Sequence, residues 1–130
     1  MNIDSSTGPK RILVVDDNID AADSLVMLLK FTGYTAAAAH TAEAGLALAQ
    51  VFQPHFILLD LGLPIMGGYE VARRIRSSPA LCGVQMFAVT AYGQDDDKRR
   101  TAEAGFDAHL VKPIDLDELL TSLSCRAASA

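Results

Sequence analysis

The chain has 130 residues, of which 50% are hydrophobic, and carries a formal net charge of -5 with a pI near 5.0. That length fits one domain with a real core. The acidic balance argues against a nucleic-acid surface, because the dense basic clusters, Arg73-Arg74 with Arg76 and Lys98-Arg99-Arg100, are short and read as solvated helix faces.

Residues 1–9, including Ser5-Ser6-Thr7-Gly8-Pro9, lack periodicity and read as a flexible N-terminal tail or the end of a linker. Arg11-Ile12-Leu13-Val14-Val15 is an apolar run of strand length, rich in β-branched residues, and it ends in Asp16-Asp17-Asn18. Asn18 can cap a helix in which Ala21, Ala22, Leu25, Leu28 and Leu29 recur on one face until Gly33 stops it. Tyr34 to Ala39 is an alanine-rich second strand lying before the cap-like Thr41, and the helix after it carries Ala44, Leu48 and Val51 on one side.

Phe56-Ile57-Leu58-Leu59, set between Pro54 and a Gly62/Pro64 break, has the pattern of a central parallel strand buried on both faces, and Asp60 ends it. Gly67-Gly68 opens a helix with Val71, Ala72 and Ile75 inward, closed by Ser77-Ser78-Pro79. Gln85 to Val89 is a fourth strand ending in Thr90-Ala91. Gln94 to Ala104 is a highly charged fourth helix with little to pack, expected to be the most mobile, and Gly105 ends it. Ala108-His109-Leu110-Val111 is a short fifth strand ending in Lys112-Pro113; Asp115 and Glu118 then form a capping box for a fifth helix through Leu119, Leu120 and Leu123.

Strands alternating with helices imply a doubly wound α/β fold, a five-stranded parallel sheet with helices on both faces and right-handed crossovers. The expected strand order is 2-1-3-4-5, which makes strands 1 and 3 neighbours and brings Asp16, Asp17 and Asp60 together at the switch point, where ligands bind in open α/β sheets. The domain is placed at residues 10–125, with 126–130 as a C-terminal tail.

Three converging carboxylates repel one another unless a cation or protons neutralise them. An all-oxygen set without His or Cys favours magnesium over zinc. Thr90 and Lys112 end the next two strands on the same rim, and a hydroxyl with a fixed ammonium beside a metal can hold phosphoryl oxygens. Singly, each residue has an ordinary explanation as a turn former, a β-former or a surface lysine. Four such groups at the carboxyl ends of four strands are improbable by chance.

Asp16-Asp17, Asp60, Thr90-Ala91 and Lys112-Pro113, each in its strand-end context, closely resemble the receiver domains of two-component response regulators, over about residues 10 to 125. Receivers of this family have the 2-1-3-4-5 order, so the order expected above rests partly on the resemblance. The resemblance implies that Asp60 accepts a phosphoryl group from a phosphohistidine on a histidine kinase or histidine phosphotransfer protein. It implies magnesium bound by Asp17, Asp60 and the Gly62 carbonyl, with Asp16 acting mainly through water. Thr90, Ala91 and Lys112 would hold the phosphoryl oxygens. Thr90 and a strand-5 aromatic would carry a switch that changes the face of helix 4, strand 5 and helix 5 for an effector protein or a homodimer. It implies no turnover enzyme beyond its own aspartyl phosphorylation and dephosphorylation; no nucleic-acid partner is expected, from the acidic charge balance.

Two positions depart from that pattern. The switch aromatic falls at His109, smaller and ionisable, and the usual Pro-x-Met-Asp-Gly turn reads Pro64-Ile65-Met66-Gly67-Gly68. A phosphatase of the haloacid dehalogenase type needs a second acid two residues after its nucleophile, where Gly62 stands. A flavodoxin-like binder would meet repulsion between Asp16-Asp17 and the flavin phosphate. The Gly62 to Gly67 spacing of a P-loop is followed by Gly68-Tyr69 in place of Lys-Ser/Thr. A receiver without phosphorylation chemistry fits poorly with the complete acidic set, threonine and lysine. Both a stand-alone regulator and a receiver of a hybrid histidine kinase remain open. Cys82 and Cys125 lack CxxC spacing and read as ordinary thiols. With no apolar run of about 18 residues and no signal-like start at Met1, no membrane insertion and a cytoplasmic location are expected.

Overall fold

The structure, a computed structural model, describes residues 9–91, 99 and 101–129. Five strands, β1 (Arg11–Val15), β2 (Thr35–Ala39), β3 (Phe56–Asp60), β4 (Gln85–Thr90) and β5 (Ala108–Val111), alternate with helices α1 (Ile19–Phe31), α2 (Ala42–Phe52), α3 (Gly68–Ser77) and a last helix α4 (Leu116–Ser129). They form one parallel sheet, as the alternation predicts, in the order β2-β1-β3-β4-β5 expected partly from the resemblance. Of the charged segment Gln94 to Ala104, residues 94–98 and 100 lie outside the described residues, and with them its expected mobility and most of the Lys98-Arg99-Arg100 cluster; residues 99 and 101–103 are helical.

The pleat sorts the apolar runs into two layers. Leu13, Val15, Ile57, Leu59, Met86 and Ala88 face α2 and α3, while Ile12, Val14, Phe56, Leu58, Phe87, Val89 and Leu110 face α1 and α4. The near-continuous hydrophobic runs of β1, β3 and β4 are therefore needed, because both faces are covered. Phe56 and Phe87 meet edge to face with ring centroids 6.0 Å apart. Each fully buried Leu, Ile or Phe contributes about 1.5–3 kcal/mol of transfer free energy.

Local signals place the helix ends. Asn18 Oδ1 accepts from the Ala21 N–H at 3.0 Å, Thr41 Oγ1 from Ala44 at 3.0 Å and Asp115 Oδ1 from Glu118 at 3.1 Å. Two helix faces differ from expectation. In α1 Ala22, Leu25 and Leu29 pack inward as expected, while Ala21 and Leu28 are exposed; in α2 the buried residues are Ala42, Gly45 and Ala49, Leu48 packs at their side, and Ala44 and Val51 face solvent. The α2 stripe is one of small residues because the helix lies so close to β1 that a Cβ on Gly45 would sit 2.9 Å from Val15 Cγ1. The last helix runs to Ser129, so residues 126–129 continue the helix, past the boundary expected at Cys125.

Arg76 is not a solvated helix-face residue. Its guanidinium donates to the carbonyls of Gly105 and Cys82 at 2.9 Å each and pairs with Asp107 at 2.8 Å, whose carboxylate also accepts from the Met86 N–H at 2.8 Å. Arg73 and Arg74 do lie on an exposed face, where both pair with Glu70. Among the described residues no helix is long and apolar enough to cross a membrane.

Candidate functional site

Each site residue follows from a strand reaching the same rim of the sheet. Val15 pairs with Leu59 and Asp60 with Val89, so Asp16 and Asp60 emerge side by side; Thr90 pairs with Val111, which puts Lys112 one residue beyond it. Asp16, Asp60 and Thr90 are buried although polar, whereas Asp17 is exposed. Asp16, Asp17 and Asp60 each offer a carboxylate oxygen, and these oxygens lie within 4.8 Å of one another.

The loops orient the carboxylates. Asp16 Oδ1 accepts from the Asn18 N–H at 2.9 Å, and Asp60 Oδ1 from the Gly62 N–H at 2.8 Å, both short Asx turns. The second oxygens point to one cation: Lys112 Nζ lies 3.2 Å from Asp60 Oδ2 and 3.4 Å from Asp16 Oδ2. Burial pulls the ammonium toward a lower pKa, but the charges and hydrogen bonds of Asp60 and Asp16 outweigh it and hold Lys112 above the usual lysine value. Among the described residues one ammonium, paired with Asp16 and Asp60, stands against three carboxylates, so the pocket has charge left for a cation. The donor set is all oxygen, with neither His nor Cys in the cluster, which suits a hard ion such as magnesium.

The glycines of the β3–α3 turn make this arrangement possible. Gly67 caps α3 with φ 80, and a Cβ on Gly68 would stand 2.7 Å from Leu61 Cα and 2.8 Å from the Asp60 carbonyl oxygen. The helix can start against the backbone of Asp60 because Gly68 has no side chain.

A cavity of about 280 Å³ opens beside the carboxylates, lined by Asp60, Leu61, Gly62, Tyr69, Thr90, Ala91 and Lys112. All the expected phosphoryl-holding residues thus border one space. Tyr69, not singled out from the sequence, forms one wall and meets Phe106 edge to face at 6.4 Å. A larger apolar groove of about 540 Å³ adjoins Asp16, Asp60 and Lys112; Ala21, Leu25 and Leu28 of α1 line it opposite Pro113 and Ile114. The signal for it lay in α1, whose apolar stripe is wider than the core covers.

His109 stands apart from the carboxylate cluster on β5, paired with Ala88. Its ring is half-buried, with Nε2 shielded from solvent and without a hydrogen-bond partner among the described residues, so it is not the fully solvent-facing histidine that an edge strand allows.

Fold and site together define a doubly wound α/β domain with a carboxylate pocket at its topological switch point, faced by a threonine and a lysine. The chain belongs to the response regulator receiver domain family, whose model it matches over residues 12–124. It is 36% identical over 110 residues to the DNA-binding dual master transcriptional regulator RpaA of Synechocystis sp., covering 85% of this chain and 46% of that protein. It is 38% identical over 125 residues to the virulence sensor protein BvgS of Bordetella bronchiseptica, covering 92% of this chain and 10% of that one. The chain therefore spans less than half the length of either relative. Among solved structures, the CheY-like response regulator receiver domain protein from Methanospirillum hungatei JF-1 superposes with a TM-score of 0.86 at 31% identity, covering 94% of this chain and 96% of that one.

Proposed function

We propose that this domain is the phosphoacceptor of a two-component phosphorelay, with Asp60 taking a phosphoryl group from a phosphohistidine on a histidine kinase or a histidine phosphotransfer protein. The observation that carries the reading is the position of Lys112 Nζ, 3.2 Å from Asp60 Oδ2 at the mouth of the cavity that Thr90 and Ala91 line. A carboxylate oxygen of Asp60 attacks phosphorus; the O–P bond forms as the P–N bond breaks, and the imidazole nitrogen leaves with the electron pair and is protonated by solvent. Lys112 balances charge on the phosphoryl oxygens, with the Thr90 hydroxyl and the Ala91 amide as neutral donors. Asp17, Asp60 and the Gly62 carbonyl would hold magnesium directly and Asp16 through water. When bound, the ion supplies positive charge to the carboxylates and to the incoming phosphoryl group. The incoming partner approaches over the apolar groove between α1 and Pro113-Ile114, which adjoins Asp60.

The domain is a signalling switch that catalyses its own phosphorylation and dephosphorylation, with no turnover of outside substrates, and it works in the cytoplasm. Thr90 and His109 carry the change to the face of β5 and α4, where an effector protein or a second copy binds. The partnerless Nε2 of His109 supports a part in switching, since a ring that gives up a hydrogen bond in one position gains by moving to another.

Acetyl phosphate with magnesium tests the reading. The intact mass should rise by one phosphoryl group, and Asp60→Asn should abolish the gain. Equal uptake by Asp60→Asn would overturn the assignment.

A further inference from the structure

β2 lies at one edge of the sheet, and among the described residues no strand pairs with its outer side. Edge strands are usually blunted by charge, proline or a bulge. Here Thr35–Ala39 reads Thr-Ala-Ala-Ala-Ala and pairs residue for residue with β1, so none of these devices is present. The Thr35 N–H donates to the Lys10 carbonyl at 3.0 Å, and the Asp16 N–H to the Ala39 carbonyl at 3.1 Å. Residues 35, 37 and 39 thus turn their amides toward β1, and Ala36 and Ala38 turn theirs outward.

The helix beside this edge is laid out symmetrically about the same point. α1 packs on β2 and β1 and runs antiparallel to them, with Asp23 3.2 Å from His40 at the far end of β2. A groove of about 420 Å³ between helix and strand is lined by Asp23, Val26, Met27 and Lys30 and by Ala36, Ala37 and Ala38. Met27 is 69% exposed at its centre, with Asp23 toward one end and Lys30 toward the other, and Phe31 beyond is 91% exposed.

We propose that this edge is a self-association surface, on which two copies join β2 to β2 antiparallel about a two-fold axis through Ala37. In that register Ala36 faces Ala38 of the second copy, and the outward amides and carbonyls form about four backbone hydrogen bonds. The two-fold stands perpendicular to the joined sheet, so the two α1 helices lie side by side on the same face of it. Met27 meets its own copy, and the two-fold sets Asp23 against Lys30 of the second copy and Lys30 against its Asp23. The charge pattern selects the occupant: an isologous interface must be complementary to itself, and this one is. The two sheets become one. The phosphoacceptor rim and the face of β5 and α4 stay free.

Sedimentation velocity over a rising protein concentration, with amide-resolved hydrogen exchange, tests it. The expected result is a reversible dimer in which the Ala36 and Ala38 amides become protected. Lys30→Asp sets like charges together at both symmetric positions and should weaken association by about tenfold. Asp23→Lys with Lys30→Asp exchanges the charges, should restore the dimer, and shows that the single variant did not fail by misfolding. The proposal is overturned by a chain that stays monomeric at every concentration, by a dimer that leaves Ala36 and Ala38 unprotected, or by a charge exchange that does not rescue.

Discussion

Lys112 holds two carboxylates that would otherwise repel each other, and the same contact makes it a poor ally of a metal. Replacing it with alanine removes positive charge from the pocket, so magnesium should bind Lys112→Ala as tightly as wild type or more tightly, while phosphoryl transfer to Asp60 falls. A magnesium titration beside acetyl phosphate labelling separates the two effects; loss of both would make Lys112 a structural residue. At the opposite end of the sheet, His55 Nδ1 accepts from the Arg11 N–H at 2.9 Å. Its pKa is held below the ordinary 6.5 by burial, then by the charges of Arg11 and Lys10. The unfolded chain therefore takes up the proton first as pH falls. The contribution of His55 is fully present above its unfolded pKa and is lost as pH drops through that value toward the lower folded one. Melting temperatures measured between about pH 7.5 and about pH 5 should fall less steeply in His55→Asn, which keeps an acceptor near Nδ1 but does not titrate. Equal slopes would exclude the linkage.

At the scale of elements, the strands were legible because a strand covered on both faces must be apolar along its whole length, and β1, β3 and β4 have that signature. Which carboxylates meet was legible once the resemblance to receivers had helped supply the strand order, since that order places the ends of β1 and β3 side by side. The helix faces were harder to read. Alanine and glycine stripes carry little hydrophobic signal, so one side of α2 was assigned to Ala44, Leu48 and Val51, of which Leu48 does pack on the core, while close approach to Val15 selects the small Ala42, Gly45 and Ala49 for burial. Arg76 was illegible for a different reason: a guanidinium beside Arg73 and Arg74 reads as solvated, and its partners at Cys82, Gly105 and Asp107 are recognisable only once the turns after α3 and before β5 lie together. Arg76→Ala leaves those carbonyls and the Asp107 carboxylate short of a donor. It should cost about 2–4 kcal/mol in urea unfolding, well beyond an ordinary surface substitution. A loss comparable to that of Arg74→Ala would show the clamp to be dispensable.

For the whole molecule, three clustered carboxylates repel one another, and a cation bound among them would relieve that repulsion. Magnesium that binds only the folded chain stabilises it by mass action, about 2.7 kcal/mol when the free ion is a hundredfold above its Kd. Melting temperature should therefore rise with magnesium in wild type and hardly move in Asp17→Ala, whose loss takes the exposed arm from the carboxylate cluster. The same shift in both proteins would remove Asp17 from the metal site.

Lys112 lies just past β5, 52 positions from Asp60. A chain emerging from the ribosome thus brings out all three acids long before their ammonium. Until β5 has been made and docked beside β4, the pocket carries its full negative charge with no internal counterion. Nascent chains of this domain should depend on free divalent cations more than the folded domain does, and if Asp60 accepts phosphate as proposed, that competence should begin only once Lys112 has left the exit tunnel.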